Sequence, residues 1–346
     1  MKIIDCLVVS LLAIAFYGRA IAADEPAKPE GYHIVKKEVL GGDGSWDYVS
    51  IEPETHRAFI ARETRVMVVD MPACKLIKEI PDLHGVHGVA LVPEFKRGFI
   101  SNGRDNTIAI FDLNTYEKIG EAKGGAKPDA IVYDAASKRV FAFNNGGTTA
   151  TAIDAATGNV AGSVELGGAP EFAVSDGKGR MYVNIEDKSE IVAFDTGKLA
   201  VLNHWPLAPG TEPTGLAMDL AHRRLFSGCR GSKTMEVMDA DSGKIVATLP
   251  IGSGVDAAAF DPDSQNAFSS NGDGTLTIVH EDTPDAYRLV QSLKTEPGAR
   301  TMALDPKTNQ LWLVTAATKP APENEPNKRK KIIVPDTFSV IVVGTK

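Results

Sequence analysis

The chain has 346 residues, 43% hydrophobic and 24% charged, with a formal charge of −8, the makeup of a globular protein long enough for one large all-β domain or two smaller ones. The acidic balance argues against a general nucleic-acid or anionic-membrane binder. Its 32 Gly and 20 Pro are spread along the chain, which points to many short strands separated by turns.

Residues 1–22 read as a secretory leader. Lys2 opens it, "CLVVSLLAIAF" supplies an apolar run too short to span a bilayer, and "AIA" at Ala20–Ala22 fits a cleavage site. Cys6 stands too early to carry a lipid anchor. The expectation is a secreted or periplasmic protein without a membrane span, beginning near Ala23, with 23–31 as a flexible leader. Losing Lys2, Arg19 and Asp5 moves its charge to about −9.

From residue 32 onward the chain repeats. "RVMVVDMPACKLIKEI" (65–80), "TIAIFDLNTYEKIGEA" (107–122), "TATAIDAATGNVAGSV" (149–164), "EIVAFDTGKLAVLNHW" (190–205) and "TMEVMDADSGKIVATL" (234–249) share one plan. An alternating strand runs into an Asp, a polar turn and a second strand. The shared position is Asp70, Asp112, Asp154, Asp195, Asp239 and then His280, at steps of 42, 42, 41, 44 and 41 residues. An Asp that opens a tight turn accepts turn amides with its carboxylate, so these aspartates are structural. Another strand pair precedes each hairpin, for example "PDAIVYDAASKRVFAFNN". Four strands per unit of this length is the pattern of a β-propeller blade.

Seven blades are predicted, beginning near Trp46, Val86, Pro128, Pro170, Pro213, Val255 and Ala299. The last has only three strands, and "YHIVKKEVLGG" (32–42) resembles the missing fourth. Pairing the two ends would close the ring and remove an open sheet edge. The fold class is therefore all-β, a seven-bladed β-propeller closed by an N-terminal strand, in a single domain over 32–346. One connection departs from the plan: residues 316–338 carry four prolines and the basic run Lys328–Lys331, and read as an unpacked excursion, a lid or a docking segment. Cys74 and Cys229 fall four blades apart and are expected to be free thiols.

The stretch "RGFISNGRDNTIAIFDLNTYEKIGE" resembles the YVTN-type repeat of the YncE-like β-propellers at Phe99, Asn102, Asn106, Thr107, Phe111 and Asp112. "MYVNIEDKSEIVAFDTGK" (181–198) is similar again at Tyr182, Val183, Asn184 and Asp195. The resemblance covers about 32–346 and weakens in blades 6 and 7. It implies an exported seven-bladed propeller that binds ligands or proteins. It brings no catalytic signature, and related propellers include lactonases, so function rests on the site.

Aligning the repeats places Asp47, His87, Asp129, Glu171, Thr214, Asp256 and Arg300 at the start of successive inner strands, at steps of 40, 42, 42, 43, 42 and 44 residues. Six of these seven side chains ionise, which suits a polar ligand or a cation at the channel mouth; a water-filled channel is the plainer alternative. "DLHGVHG" (82–88) links blades 1 and 2, so His87 joins the ring and His84 lies outside it. Loops closing the second strands add a further circle on the same face: Arg62 with Glu63, Asn102 with Arg104, Asn144 with Asn145, Asn184 with Glu186, Cys229 with Arg230, and Ser270 with Asn271. Of these, Arg62, Arg104 and Arg230 are the candidates for carboxylate or phosphate recognition, and Asn102 and Asn145 for polar contacts. Trp46 and Phe172 flank the ring, whereas Trp205 and Trp312 read as packing residues.

Neither GxSxG, HExxH, a Walker loop nor CxxCH is present, and "GDGSWD" and "NGDGT" lack the spacing of an EF-hand. No cofactor is required by any motif. A divalent cation on Asp47, His87, Asp129, Glu171 or Asp256 is the one group the ring could hold. The leading expectation is a non-catalytic monomer binding a small polar molecule or a protein; the alternative is a metal-assisted hydrolase or lactonase-like enzyme at the same centre. Nucleic acid ranks last.

Overall fold

The computed structural model describes residues 31–322 and 331–345. The leader read at 1–22, its extension to residue 30 and most of the 328–331 basic run lie outside the described residues. Seven four-stranded antiparallel sheets make up the domain. Each inner strand touches the inner strand of the next blade, and the seventh returns to the first. The fold is a seven-bladed β-propeller.

Blade 1 shows the common plan: Val49–Glu52 innermost, then Arg57–Arg62, Arg65–Asp70 and Lys75–Ile80 at the rim. The second and third strands are buried almost throughout, while the rim strand is largely exposed. Apolar residues on the two faces of each sheet meet those of its neighbours, because a blade cannot bury its own faces. Seven apolar clusters result, one at each blade-to-blade junction.

Blade 7 is completed as the sequence predicts. His33–Val39 pairs antiparallel with Ser339–Gly344, from Val39 opposite Ser339 to His33 opposite Gly344. Inner strands start where the alignment places them in blades 2 to 6, but at Val49 and Thr301 in blades 1 and 7. In blade 1 the preceding residues still bond Ala61 of the second strand, through Asp47 N and Tyr48 O, while Tyr48 donates its amide to the His87 carbonyl of blade 2 at 3.1 Å.

The shared aspartates are turn formers. Asp112 accepts the amides of Asn114 and Thr115 at 2.8 and 2.9 Å, and Asp154, Asp195 and Asp239 accept equivalent amides. These bonds favour the carboxylate, so Asp112, Asp154 and Asp195 are held below the usual aspartate range. Both Cys74 and Cys229 are buried and free. The described parts of the insertion include paired backbone, where the sequence suggests an unpacked excursion. Thr318–Pro320 pairs with Lys331–Ile333 in a short hairpin, and Phe338 at its end is fully buried.

Candidate functional site at the channel mouth

In five of the seven blades the inner strand is irregular beside its ring residue. In blades 2 to 6 the pairing register with the second strand shifts beside the ring position, for example between Val86 and Val89 and between Pro128 and Ile131. A bulge of this kind re-aims a side chain and frees backbone groups. Second-strand residues satisfy those groups from the neighbouring blade. Ser101 donates to the Asp129 carbonyl at 2.5 Å, Asn184 to the Thr214 carbonyl at 2.9 Å, and Ser270 to the Arg300 carbonyl.

The ring itself divides into groups. His87 Nδ1 lies 2.7 Å from Asp47 Oδ2 and 3.5 Å from Asp129 Oδ1. Lys127 Nζ continues the chain, 3.9 Å from Asp129 and donating to Asn145 Oδ1 at 2.9 Å. Asn145 then donates to Glu171 Oε1 at 2.8 Å. On the other side Arg300 Nε donates to Asp256 Oδ2 at 2.5 Å. Thr214 takes no part, since its hydroxyl is turned to the Val255 carbonyl at 2.9 Å. Arg230 pairs with Glu186 at the rim and is close enough to act on Glu171 and Asp256 electrostatically.

Burial in a partly dehydrated ring raises three of its carboxyl groups, Asp129, Glu171 and Asp256. Burial, reinforced by the charges of Asp129 and Asp256, pushes Glu171 up to about 8. Burial also pushes Asp129 up to about 6, with Asp47 adding and His87 opposing. His87 goes the other way from a buried imidazole: burial lowers it, but the Asp47 hydrogen bond and the Asp129 charge outweigh that and hold it above its ordinary value. Glu171 therefore keeps its proton at neutral pH, while Asp129 and His87 each hold theirs to a higher pH than the free group does.

A cavity of about 710 Å³ opens over blades 7, 1 and 2. Asp47, His87 and Arg300 form part of its lining, with Trp46, Arg104 and Lys127 around them; Lys331 and Ile333 of the insertion supply one wall. "DLHGVHG" is shaped to this purpose. Gly85 has φ +66° and a side chain there would strike Arg104, while the facing Gly103 leaves room for the His87 ring, whose Nε2 is 2.7 Å from where a Cβ would stand. His84 points elsewhere and pairs with Asp105 at 2.7 Å.

Several candidates turn out to be structural. Arg62 is fully buried and donates to the carbonyls of Gly41, Asp43, Gly44 and Ser45, so it holds the blade 7 to blade 1 crossing and offers nothing to a ligand. Asn102 is likewise buried, with its amide on Thr107. The five residues proposed for a cation do not form one set: Asp47, His87 and Asp129 converge within 4.8 Å, whereas Glu171 is held by Asn145 and Asp256 by Arg300.

Sequence reasoning missed Tyr48, Lys127, Lys331 and Ile333. Tyr48 is buried among the ring carboxylates and its phenol is raised well above the usual value, by burial first and then by Asp129, Glu171 and Asp47. It meets Phe172 edge-to-face at 5.1 Å, with a cavity of about 50 Å³ beside the pair. A signal existed: the register mates of Tyr48 and Phe172 are Gly88, Ala130, Gly215, Ala257 and Thr301. Two aromatic rings among small residues mark a channel filled from within. Lys331 and Ile333 carried no comparable signal, since nothing in the repeat says where an insertion folds back.

Fold and site together define a seven-bladed propeller with a polar cavity at its channel mouth. Compared with known proteins, the chain matches no family model and no curated protein. No helix among the described residues is long and apolar enough to cross a membrane.

Proposed function

We propose that the chain is an exported propeller of the YncE-like type that binds a small anionic molecule in the mouth cavity. The observation that carries this reading is the lining: Arg104, Lys127, Arg300 and Lys331 stand against the carboxylates of Asp47 and Glu63. Guanidinium and ammonium groups around a half-enclosed cavity suit a carboxylate or phosphate ester, with Trp46 and Ile333 offering apolar surface to the rest of the ligand. The inserted hairpin would set which ligands fit, because it walls the cavity and belongs to no repeat.

The test is a thermal-shift screen of small carboxylates and phosphate esters on the mature protein. Hits are then titrated calorimetrically against wild type, Arg104→Ala and Lys331→Ala. Each substitution is expected to weaken binding about tenfold, as for one charged hydrogen bond. Hits that bind all three proteins equally would place the ligand elsewhere.

A hydrolase reading has one observation in its favour, the convergence of Asp47, His87 and Asp129 within 4.8 Å. A cation there would polarise a carbonyl and lower the pKa of water. The same contacts also make a protonated His87 between two carboxylates, which needs no metal, so binding is the preferred reading. Turnover of a lactone or ester panel by wild type, lost on Asp129→Asn, would reverse that preference.

A further inference from the structure

On the opposite face, two departures from the repeat meet across the junction of blades 5 and 6. The first is Glu281. The residue after the shared third-strand position donates its amide to its own blade's first turn in blades 1 to 6: Met71 to His56, Leu113 to Lys96, Ala155 to Lys138, Thr196 to Gly179, Ala240 to Arg223 and Glu281 to Gln265. Five of the six are apolar or small and all are buried; the sixth is a carboxylate with only 4% exposure.

The second departure is His222. In blades 1, 3, 6 and 7 the acid ending the inner strand accepts a hydroxyl three residues on: Glu52 from Thr55, Asp134 from Ser137, Asp261 from Ser264 and Asp305 from Thr308. Blade 5 keeps the acid, Asp219, but places His222 where the hydroxyl belongs.

These residues converge. His222 Nδ1 lies 2.7 Å from Asp219 Oδ2 and 2.7 Å from Glu281 Oε1. Both Glu281 oxygens are buried and neither accepts a well-aligned hydrogen bond; the His222 ion pair is their 2.7 Å contact. One imidazole proton cannot serve two carboxylates, and two buried anions against one imidazolium leave an uncompensated charge. Arg224 makes no hydrogen bond to either acid: its guanidinium bonds Asp239, Asp285 and the Pro284 carbonyl, and its charge acts on Glu281 only through space.

We infer that Asp219, His222 and Glu281 hold a transition-metal divalent cation of the Zn²⁺ class, clamping blade 5 to blade 6. A borderline nitrogen with two carboxylate oxygens suits Zn²⁺, Co²⁺ or Mn²⁺ better than Ca²⁺ or Mg²⁺. The side chain of His222 is 41% exposed, which leaves water a place on the ion and gives the ion a route in. Metal–ligand bonds of about 2.0–2.2 Å require the three donors to spread by roughly half an ångström, a shift the half-exposed ring can make.

The experiment uses the mature protein, stripped with a chelator and titrated calorimetrically with Zn²⁺ alone, with Co²⁺ absorption as a second readout. The variants restore the repeat: His222→Ser as in blades 3 and 6, and Glu281→Ala as in blades 3 and 5. Both are built for their register and are expected to fold, which circular dichroism checks; His222→Ser gives Asp219 the turn hydroxyl found in blades 3 and 6. Wild type and Asp129→Asn are expected to bind one Zn²⁺ at this site, and each repeat-restoring variant to lose it by about tenfold or more. The inference is overturned if wild type binds no Zn²⁺, if both variants bind as wild type does, or if Asp129→Asn alone abolishes binding. That last result would assign the ion to the channel mouth, so this test and that of the anion cavity fail separately.

Discussion

The guanidinium carbon of Arg62 stands 3.7 Å from the centroid of the Phe338 ring. A fully buried cation in blade 1 thereby seals the return of the long insertion into blade 7. Burial lowers Arg62 to about 10, still high enough to keep it charged at neutral pH. Arg62→Met is expected to destabilise the domain by about 3 kcal/mol, since four carbonyls lose a charged donor inside the fold. Urea unfolding measures this; a loss within about 0.5 kcal/mol, the range of an ordinary surface substitution, would show that water replaces the guanidinium freely.

Titration of the mouth predicts the shape of the stability curve. Glu171 is raised, to about 8, and so is Asp129, to about 6. Each keeps in the folded state a proton that the unfolded chain has already lost, so each subtracts stability as pH rises from the ordinary carboxylate value through its folded value. His87 is raised as well; its contribution is complete below the ordinary histidine value and fades as pH rises through the folded one. All three act in the same direction. Thermal midpoints should fall from about pH 5 to pH 9, and Glu171→Gln should flatten the curve and gain of order 1–3 kcal/mol at its alkaline end. A midpoint that climbs over this range would contradict the assignment.

Ser101 ties blade 2 to blade 3 at the ring. Its hydroxyl accepts the Gly88 amide at 2.9 Å and donates to the Asp129 carbonyl at 2.5 Å. Ser101→Ala strands both backbone groups in a buried place and should cost about 1–3 kcal/mol. It should also shift the His87 imidazole signals in NMR, because the carbonyl it anchors belongs to Asp129. Unchanged His87 signals would mean that the ring is held without it.

Gly98 lies directly opposite Phe111 in the blade 2 ladder, and a Cβ there would come within 2.0 Å of the ring. The ring occupies space that Ala58 or Val140 fills at the same register in blades 1 and 3. Gly98→Ala is expected to cost about 1–3 kcal/mol through overpacking. Combining it with Phe111→Val, which copies the Ala58–Val69 pair of blade 1, should recover part of the loss; additive losses would rule out direct contact as the cause.

How much of this was readable in advance depends on whether the signal is periodic. A spacing of about 42 residues is repeated along the chain, and it placed the blades, the turn aspartates, the closing strand and the ring register. The same spacing separated His87 from His84, although the two stand only three positions apart. Individual arginines carried no such signal. Arg62 ends the second strand of blade 1 and Arg104 stands two residues past that of blade 2, yet one is locked to four carbonyls inside the fold and the other lines the cavity with Glu63 at 2.6 Å.

The architecture follows from the repeat, because a blade is a local pattern and each unit must stack to bury its faces. The tertiary structure alone decided which side chains meet. His87 finds Asp47 and Asp129, Glu281 finds His222, and Lys331 reaches the mouth. Those pairings cross blade junctions, where bulges, burial and a neighbour's vacancy direct a side chain, and no single repeat records them.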